Sequence, residues 1–430
     1  MNSLIRLVTL CVATLAAVPV VADDLRWSGF GTVGYARSGN EFRYQRFIDS
    51  DGTLTRDSLF GVQADAVLTP EVSATVQVRL APAGNSDEEW NVRLPWAFLS
   101  WRPSNELTVR GGKLRIPMLL YSENIDVGTT FPFARLPIEI YSILPTWDFY
   151  GLSVGRNWMP GNLDVDLDGF AGWAHGTWRV HLRDAPPQLG VQPGSWYEGI
   201  SGAFVGAILT VREAESRYRF AALAWDAQLD TLQFGVDYPY VQVAPGVGYY
   251  QVDNRLPGPG VQMKDRIRFY TLSAGLEQEL QAGFRLVGEL AWRRSERIGL
   301  ASGTNSLGSY LALLKPIGSW TPYIYGAALR SSDHARTLYS SLDRSRLPAA
   351  VPGAAVVNAS QTGAADSALV FDQRTVALGA TYAVGRGQVV KAEWQRTRIG
   401  LVSAFYDAPL GVSSGGQKID VFSLSYNFAF

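Results

Sequence analysis

The feature that most constrains this chain is a period of two, held over segments of about ten residues and repeated along the sequence. Val72, Ala74, Val76, Val78 and Leu80 alternate with Ser73, Thr75, Gln77 and Arg79. Val376, Leu378, Ala380, Tyr382 and Val384 alternate with Thr375, Ala377, Gly379, Thr381 and Ala383. Phe422, Leu424, Tyr426, Phe428 and Phe430 alternate with Val421, Ser423, Ser425, Asn427 and Ala429. Successive side chains of a strand point to opposite faces, so each segment offers one lipid-compatible face and one small or polar face.

A two-faced strand also suits a soluble sandwich, so the spacing between segments decides. Strands are predicted near 25–37, 57–69, 71–80, 92–102, 106–115, 147–158, 162–174 and 196–210. A second set falls near 216–228, 267–279, 282–296, 306–315, 320–331, 370–384, 387–400 and 418–430. Short turns such as Thr69-Pro70-Glu71, Pro103-Ser104-Asn105 and Gly385-Arg386 alternate with longer connections, the longest being 229–266 and 332–369. Structureless loops of that length are uncommon in compact soluble domains. Short turns on one side and long loops on the other describe an all-β transmembrane antiparallel barrel of about sixteen strands, whose even count puts both termini on the short-turn side.

Composition closes off the alternatives. The mean hydropathy is 0.00, and beyond the first 22 residues the longest hydrophobic stretch is the glycine-rich Gly199 to Val211. Membrane helices need runs of about 20 apolar residues, so a helical bundle is excluded. With 47% hydrophobic residues and a net charge of −1, the chain is neither disordered nor drawn by charge to nucleic acid. Residues 1–22 read as a secretory signal peptide: Arg6, an apolar run from Leu7 to Val18, Pro19, and a small-residue exit at Ala22. The only cysteine, Cys11, falls in that leader, so 23–430 is expected to be one barrel domain without disulfide or cysteine metal site. Trp27, Trp101, Trp147, Trp158, Trp173, Trp196, Trp225, Trp320 and Trp394 fall near predicted strand ends, with Trp96 central. That placement suggests aromatic girdles at the two bilayer interfaces.

Two segments carry a resemblance. Ser423-Leu-Ser-Tyr-Asn-Phe-Ala-Phe430, with Tyr426, Phe428 and Phe430 on one face, resembles the C-terminal strand of bacterial outer-membrane proteins. Leu107-Thr-Val-Arg-Gly-Gly-Lys-Leu-Arg-Ile-Pro117, followed by 29 residues before Trp147, resembles the fifth strand of Gram-negative porins running into their third loop. The resemblance implies recognition by the outer-membrane barrel assembly machinery, a setting among outer-membrane lipid and lipopolysaccharide, a third loop folded inward, and a homotrimer.

Sixteen strands enclose a lumen too wide for side chains to fill, so something must narrow it. The segment from Met118 to Thr146 is the candidate constriction, with Glu123, Asp126, Arg135 and Glu139 as its charges. Arg79, Arg93 and Arg110 are expected on the pore wall, with Lys113 and Arg115 at the loop entrance. An acidic loop facing a basic wall would set up a transverse field. Asp164, Asp166 and Asp168 share one strand face and would add an acidic stripe.

Other motifs have plainer readings. Gly29-Phe-Gly31-Thr-Val-Gly34 spells a dinucleotide fingerprint but is not followed by a helical pattern, so small residues in a first barrel strand explain it better. Asp164-Val-Asp166-Leu-Asp168-Gly169 imitates a calcium loop whose twelfth position is His175, not glutamate. His175, His181 and His334 all fall in predicted loops with no nucleophile motif beside them. The expectation is a non-enzymatic protein with no catalytic residues, cofactor or metal.

The leading expectation is a porin in the cell outer membrane that passes small hydrophilic solutes and ions by passive diffusion. A channel selective for phosphate, other anions or carboxylates is the alternative, because 33 of the 38 basic residues are arginine; Arg217, Arg219, Arg285 and Arg293 would be rungs of a luminal ladder. A surface receptor or adhesin using the long loops is the third.

Overall fold

The computed structural model describes residues 25–296 and 303–430; the predicted leader at 1–22 lies outside them. Its first eight barrel strands are β1 (Leu25–Ser38), β2 (Leu59–Val67), β3 (Val72–Pro82), β4 (Trp90–Trp101), β5 (Leu107–Arg115), β6 (Asp148–Trp158), β7 (Leu163–Leu182) and β8 (Gly194–Glu213). The rest are β9 (Ser216–Leu229), β10 (Arg266–Glu279), β11 (Arg285–Ser295), β12 (Ser306–Leu314), β13 (Trp320–Ser331), β14 (Phe371–Gly385), β15 (Gln388–Ser403) and β16 (Lys418–Ala429). All sixteen pair antiparallel in sequence order and close into a barrel. Closure leaves no unpaired edge, which a strand-built membrane protein requires.

The seam is β1 on β16. Gly31 lies opposite Phe428 and Gly34 opposite Ser425, and the Phe430 amide donates to the Gly29 carbonyl at 2.9 Å. The rings of Phe430 and Phe428 lie where a Cβ on Gly29 or Gly31 would point. The fingerprint-like glycines therefore make room for aromatics across the seam.

Fifteen strands end within a few residues of the expected positions. The exception is β7, which runs eight residues past 174, because Trp178, Val180 and Leu182 are buried in an apolar cluster that also takes Trp196 from β8. His175 and His181 therefore lie in β7, not in a loop. The connections carry structure of their own. The one between β5 and β6 holds the short helix α1 (Ile138–Tyr141). Residues 332–369, expected to be structureless, hold α2 (Asp333–Arg344), capped by the Ser332 side chain, and α3 (Ala354–Ser367). His334 stays within that connection, in the first turn of α2. The 229–266 connection holds two small two-stranded sheets.

The tryptophans divide by face. Trp27, Trp101, Trp173 and Trp320 stand outward and exposed, as girdle residues do. Trp178 and Trp225 are buried inside the barrel, and Trp147 and Trp196 pack on the same cluster. Trp96 also points inward, paired with Gln77. Period two places a residue along a strand, but its face depends on the register of the whole strand.

Candidate functional site

The third long loop, residues 116–147, leaves β5 at Pro117 and enters the barrel. Its neck is tied by the Ile116 amide, which donates to the Trp147 carbonyl at 2.8 Å. Inside, Met118, Leu119, Phe133, Ile140 and Ile143 are almost fully buried, a face that no aqueous lumen would tolerate. They pack on inward aromatics of the far wall. The Phe133 ring meets Tyr310, Tyr323 and Tyr325 edge-on, with centroids 5.3–5.6 Å apart, a favourable arrangement for aromatic pairs.

Polar anchors fix the same side. Arg219 of β9 donates to the Pro117 and Leu119 carbonyls at 3.2 and 2.8 Å. Glu289 of β11 accepts from the Leu120 amide and the Tyr141 hydroxyl, both at 2.7 Å. The Arg293 guanidinium donates to the Ile143 carbonyl at 2.6 Å. Lys391 of β15 donates to the carbonyls of Gly128, Phe131 and Phe133 at 2.5, 2.6 and 2.8 Å. Loop 3 is thus bound to the β9–β16 wall, and most of these bonds go to loop backbone groups that would otherwise be orphaned on burial.

Close approach needs glycine at one point. A Cβ on Gly308 of β12 would collide with the backbone carbonyl oxygen of Glu139, and backbone cannot swing aside. Gly308→Ala is expected to push the loop helix α1 off β12 and change the single-channel conductance. A conductance identical to the parent protein would refute that contact.

The loop's free side meets the opposite wall. Asp126 is ion-paired with both Arg79 and Arg115, and Arg115 also reaches Asp148 at 3.4 Å. Burial alone would raise the Asp126 carboxyl, but the two guanidiniums more than offset it and hold it below the usual carboxylate range. Glu123 lies 3.6 Å from Arg219 with its side chain 41% exposed. Arg79 and Arg93 are register partners on β3 and β4, and the Arg110 guanidinium lies 6.0 Å from the Phe98 ring centroid. Arg93 and Arg110 have no acidic partner within 4.0 Å among the described residues. Asp164, Asp166 and Asp168 share the inward face of β7 with buried Phe170 and Ala174. Arg212 of β8 bridges Asp164 and Asp166, while Asp168 stands apart.

Three expected site residues are placed differently. Arg135 is buried in a two-point pair with Asp57 of the first long loop, and its Nη2 also donates to Ser423 at 3.2 Å. Glu139 is buried, accepts from Gln373 at 2.7 Å and from Thr375, and burial pushes its carboxyl above the usual range. Both fasten the loop and neither faces the pore. Lys113 stands on the outer surface over the Tyr150 ring at 5.1 Å, because residues three apart on a regular strand, such as Arg110 and Lys113, cannot share a face. Asp57, Glu289 and Lys391 belong to the site although sequence reasoning missed them. Glu289 and Lys391 do carry a signal, shared with Glu393: each is a charge on the inward face of a strand, away from its ends.

A closed barrel of sixteen antiparallel strands with its third loop folded into the lumen is the fold of the outer-membrane porins. OprB of Pseudomonas putida superimposes with a TM-score of 0.53 over 96% of this chain and 95% of that one, at 11% identity. The outer membrane channel DcaP of Acinetobacter baumannii gives 0.51 over 95% and 97%, also at 11% identity. At such identity the likeness is one of fold. No protein-family model matches the chain, and no curated protein matches it.

Proposed function

We propose that this protein is an outer-membrane channel for passive diffusion of small hydrophilic solutes and ions, passing between loop 3 and the β2–β8 wall. The observation that carries the reading is an asymmetry of exposure among inward side chains. On β9–β16, Thr271, Glu289, Tyr310, Gln373, Thr375 and Gln395 are buried. On β2–β7, Thr75, Gln77 and Ser100 are buried as well, but the charged and amide side chains of Gln63, Asp65, Arg79, Arg93, Arg110, Asp166 and Asp168 keep access to water. Reconstituted into planar bilayers, the protein should give stable ohmic steps; no conductance above the bare membrane would sink the reading.

A luminal arginine ladder finds little support. Arg217 and Arg285 share Glu277, and Arg219 and Arg293 are spent on loop carbonyls. A milder preference for small anions rests on Arg93 and Arg110. Replacing both with alanine should move the reversal potential in a salt gradient toward cations; an unchanged potential would remove these residues from the pore.

A further inference from the structure

We propose that the outer surface of β14–β16 holds a phosphorylated lipid, its phosphate on Arg374, Arg398 and Lys418 and its acyl chain in the apolar groove beneath. The proposal rests on the outer-membrane placement above but not on conduction.

The three cations form one row. Arg374 is the register partner of Arg398, and Arg398 of Lys418. All three are exposed and none makes an ion pair or side-chain hydrogen bond among the described residues. Like charges directly opposite one another on neighbouring strands are destabilising, so a row of three calls for an anion. The nearest carboxylates on this face are already engaged. Asp420 pairs with Arg396 at 2.8 Å, and Asp372 lies 3.7 Å from Arg336 and accepts from the Leu401 amide at 2.9 Å. Outward cations elsewhere at the long-loop end mostly have acids of their own: Arg266 and Arg268 with Asp226, Arg330 with Asp333. Arg294 stands singly. The unneutralised charge is concentrated on one patch.

The next outward row is Val376, Arg396 and Asp420, whose two charges pair with each other, and beneath it the face turns apolar. Leu378, Trp394 and Phe422 are register partners, as are Ala380, Ala392 and Leu424 in the next outward row. Small Ala392 leaves a groove of about 310 Å³ between Tyr35, Leu378, Trp394, Phe422 and Leu424. Arg398 lies four positions beyond Trp394, which is about 13 Å along a strand. Guanidiniums bind phosphate in two-point fashion, and an acyl chain suits the groove. Charge above and a groove below on one face match a lipid that carries phosphate on its headgroup, rather than a free ion.

The test is lipid binding by native mass spectrometry of the whole protein in detergent. Diphosphoryl lipid A is the probe, with its dephosphorylated form and inorganic phosphate as comparators. The intact protein should retain diphosphoryl lipid A and lose it on dephosphorylation. The triple variant Arg374→Ala, Arg398→Ala, Lys418→Ala should bind at least tenfold more weakly, with conductance unchanged. Arg266→Ala, Arg268→Ala, Arg330→Ala should bind as the parent does. Equal retention by both variants, full competition by inorganic phosphate, or a change of oligomeric state without loss of lipid would each overturn the proposal, the last by assigning the face to a second copy of the chain. Loss of conductance in every form would count against the channel alone.

Discussion

Asp126→Asn should shift the channel strongly toward anions. The substitution leaves Arg79 without its ion-pair partner while Arg115 keeps Asp148 at 3.4 Å, so the wall beside the loop gains net positive charge. A unit charge about 5 Å from a passing ion contributes on the order of 1–3 kcal/mol, depending on local dielectric, enough for a severalfold change in permeability ratio. Reversal potentials in a salt gradient read this directly, and an unchanged ratio would place Asp126 off the permeation path. The same pair sets the pH dependence. The Asp126 carboxyl is held below its usual range, so its ion-pair contribution is fully present above about pH 4 and is lost only as pH falls through the depressed value. The Asp126 share of selectivity in the parent protein should therefore stay flat from about pH 7 down to about pH 4.

Lys391→Met should unfasten loop 3. The ammonium is almost fully buried and satisfies three loop carbonyls at 2.5–2.8 Å, while lying 4.1 Å from the Phe131 ring centroid. Methionine fills similar space but donates nothing, leaving three buried acceptors without partners. Removing one member of a buried charged network costs about 3–5 kcal/mol. The barrel ladder is untouched, so that loss should fall on the loop. The expected result is a larger and noisier conductance with a lower thermal unfolding temperature. Quiet, parent-sized steps would show that the apolar contacts of Phe133 and its tyrosine neighbours hold the loop by themselves.

The strand schedule was legible because each strand crosses lipid with an alternating face, a local property that period two reports. An acidic loop facing a basic wall could be expected from the order of the segments, but the pairing of Asp126 with both Arg79 and Arg115 emerges only in the folded chain. Arg135 and Glu139 were misread because their partners, Asp57, Gln373 and Thr375, lie 78, 234 and 236 residues away, and no local pattern announces such a pairing. The apolar half of the lumen was missed for a related reason. Inward Tyr310, Tyr323 and Tyr325 gain their apolar partner, Phe133, only when the distant loop folds against them. Part of the arginine excess serves as carbonyl and carboxylate anchors inside the barrel, as Arg115, Arg135, Arg219 and Arg293 do.

The attachment of loop 3 to the later strands bears on how the barrel keeps its shape. A ring of sixteen strands has no solid centre and would flatten easily under lateral load. Here one segment leaves the wall after β5 and is pinned to β9, β11, β12, β13, β14 and β15, spanning the cross-section as a spoke spans a wheel. The gap between loop and wall then has a width set by these fixed hydrogen bonds and ring contacts and not by the elasticity of the ring. We expect conductance to be insensitive to bilayer tension and thickness in the parent protein, and to acquire that sensitivity once the spoke is cut at Lys391.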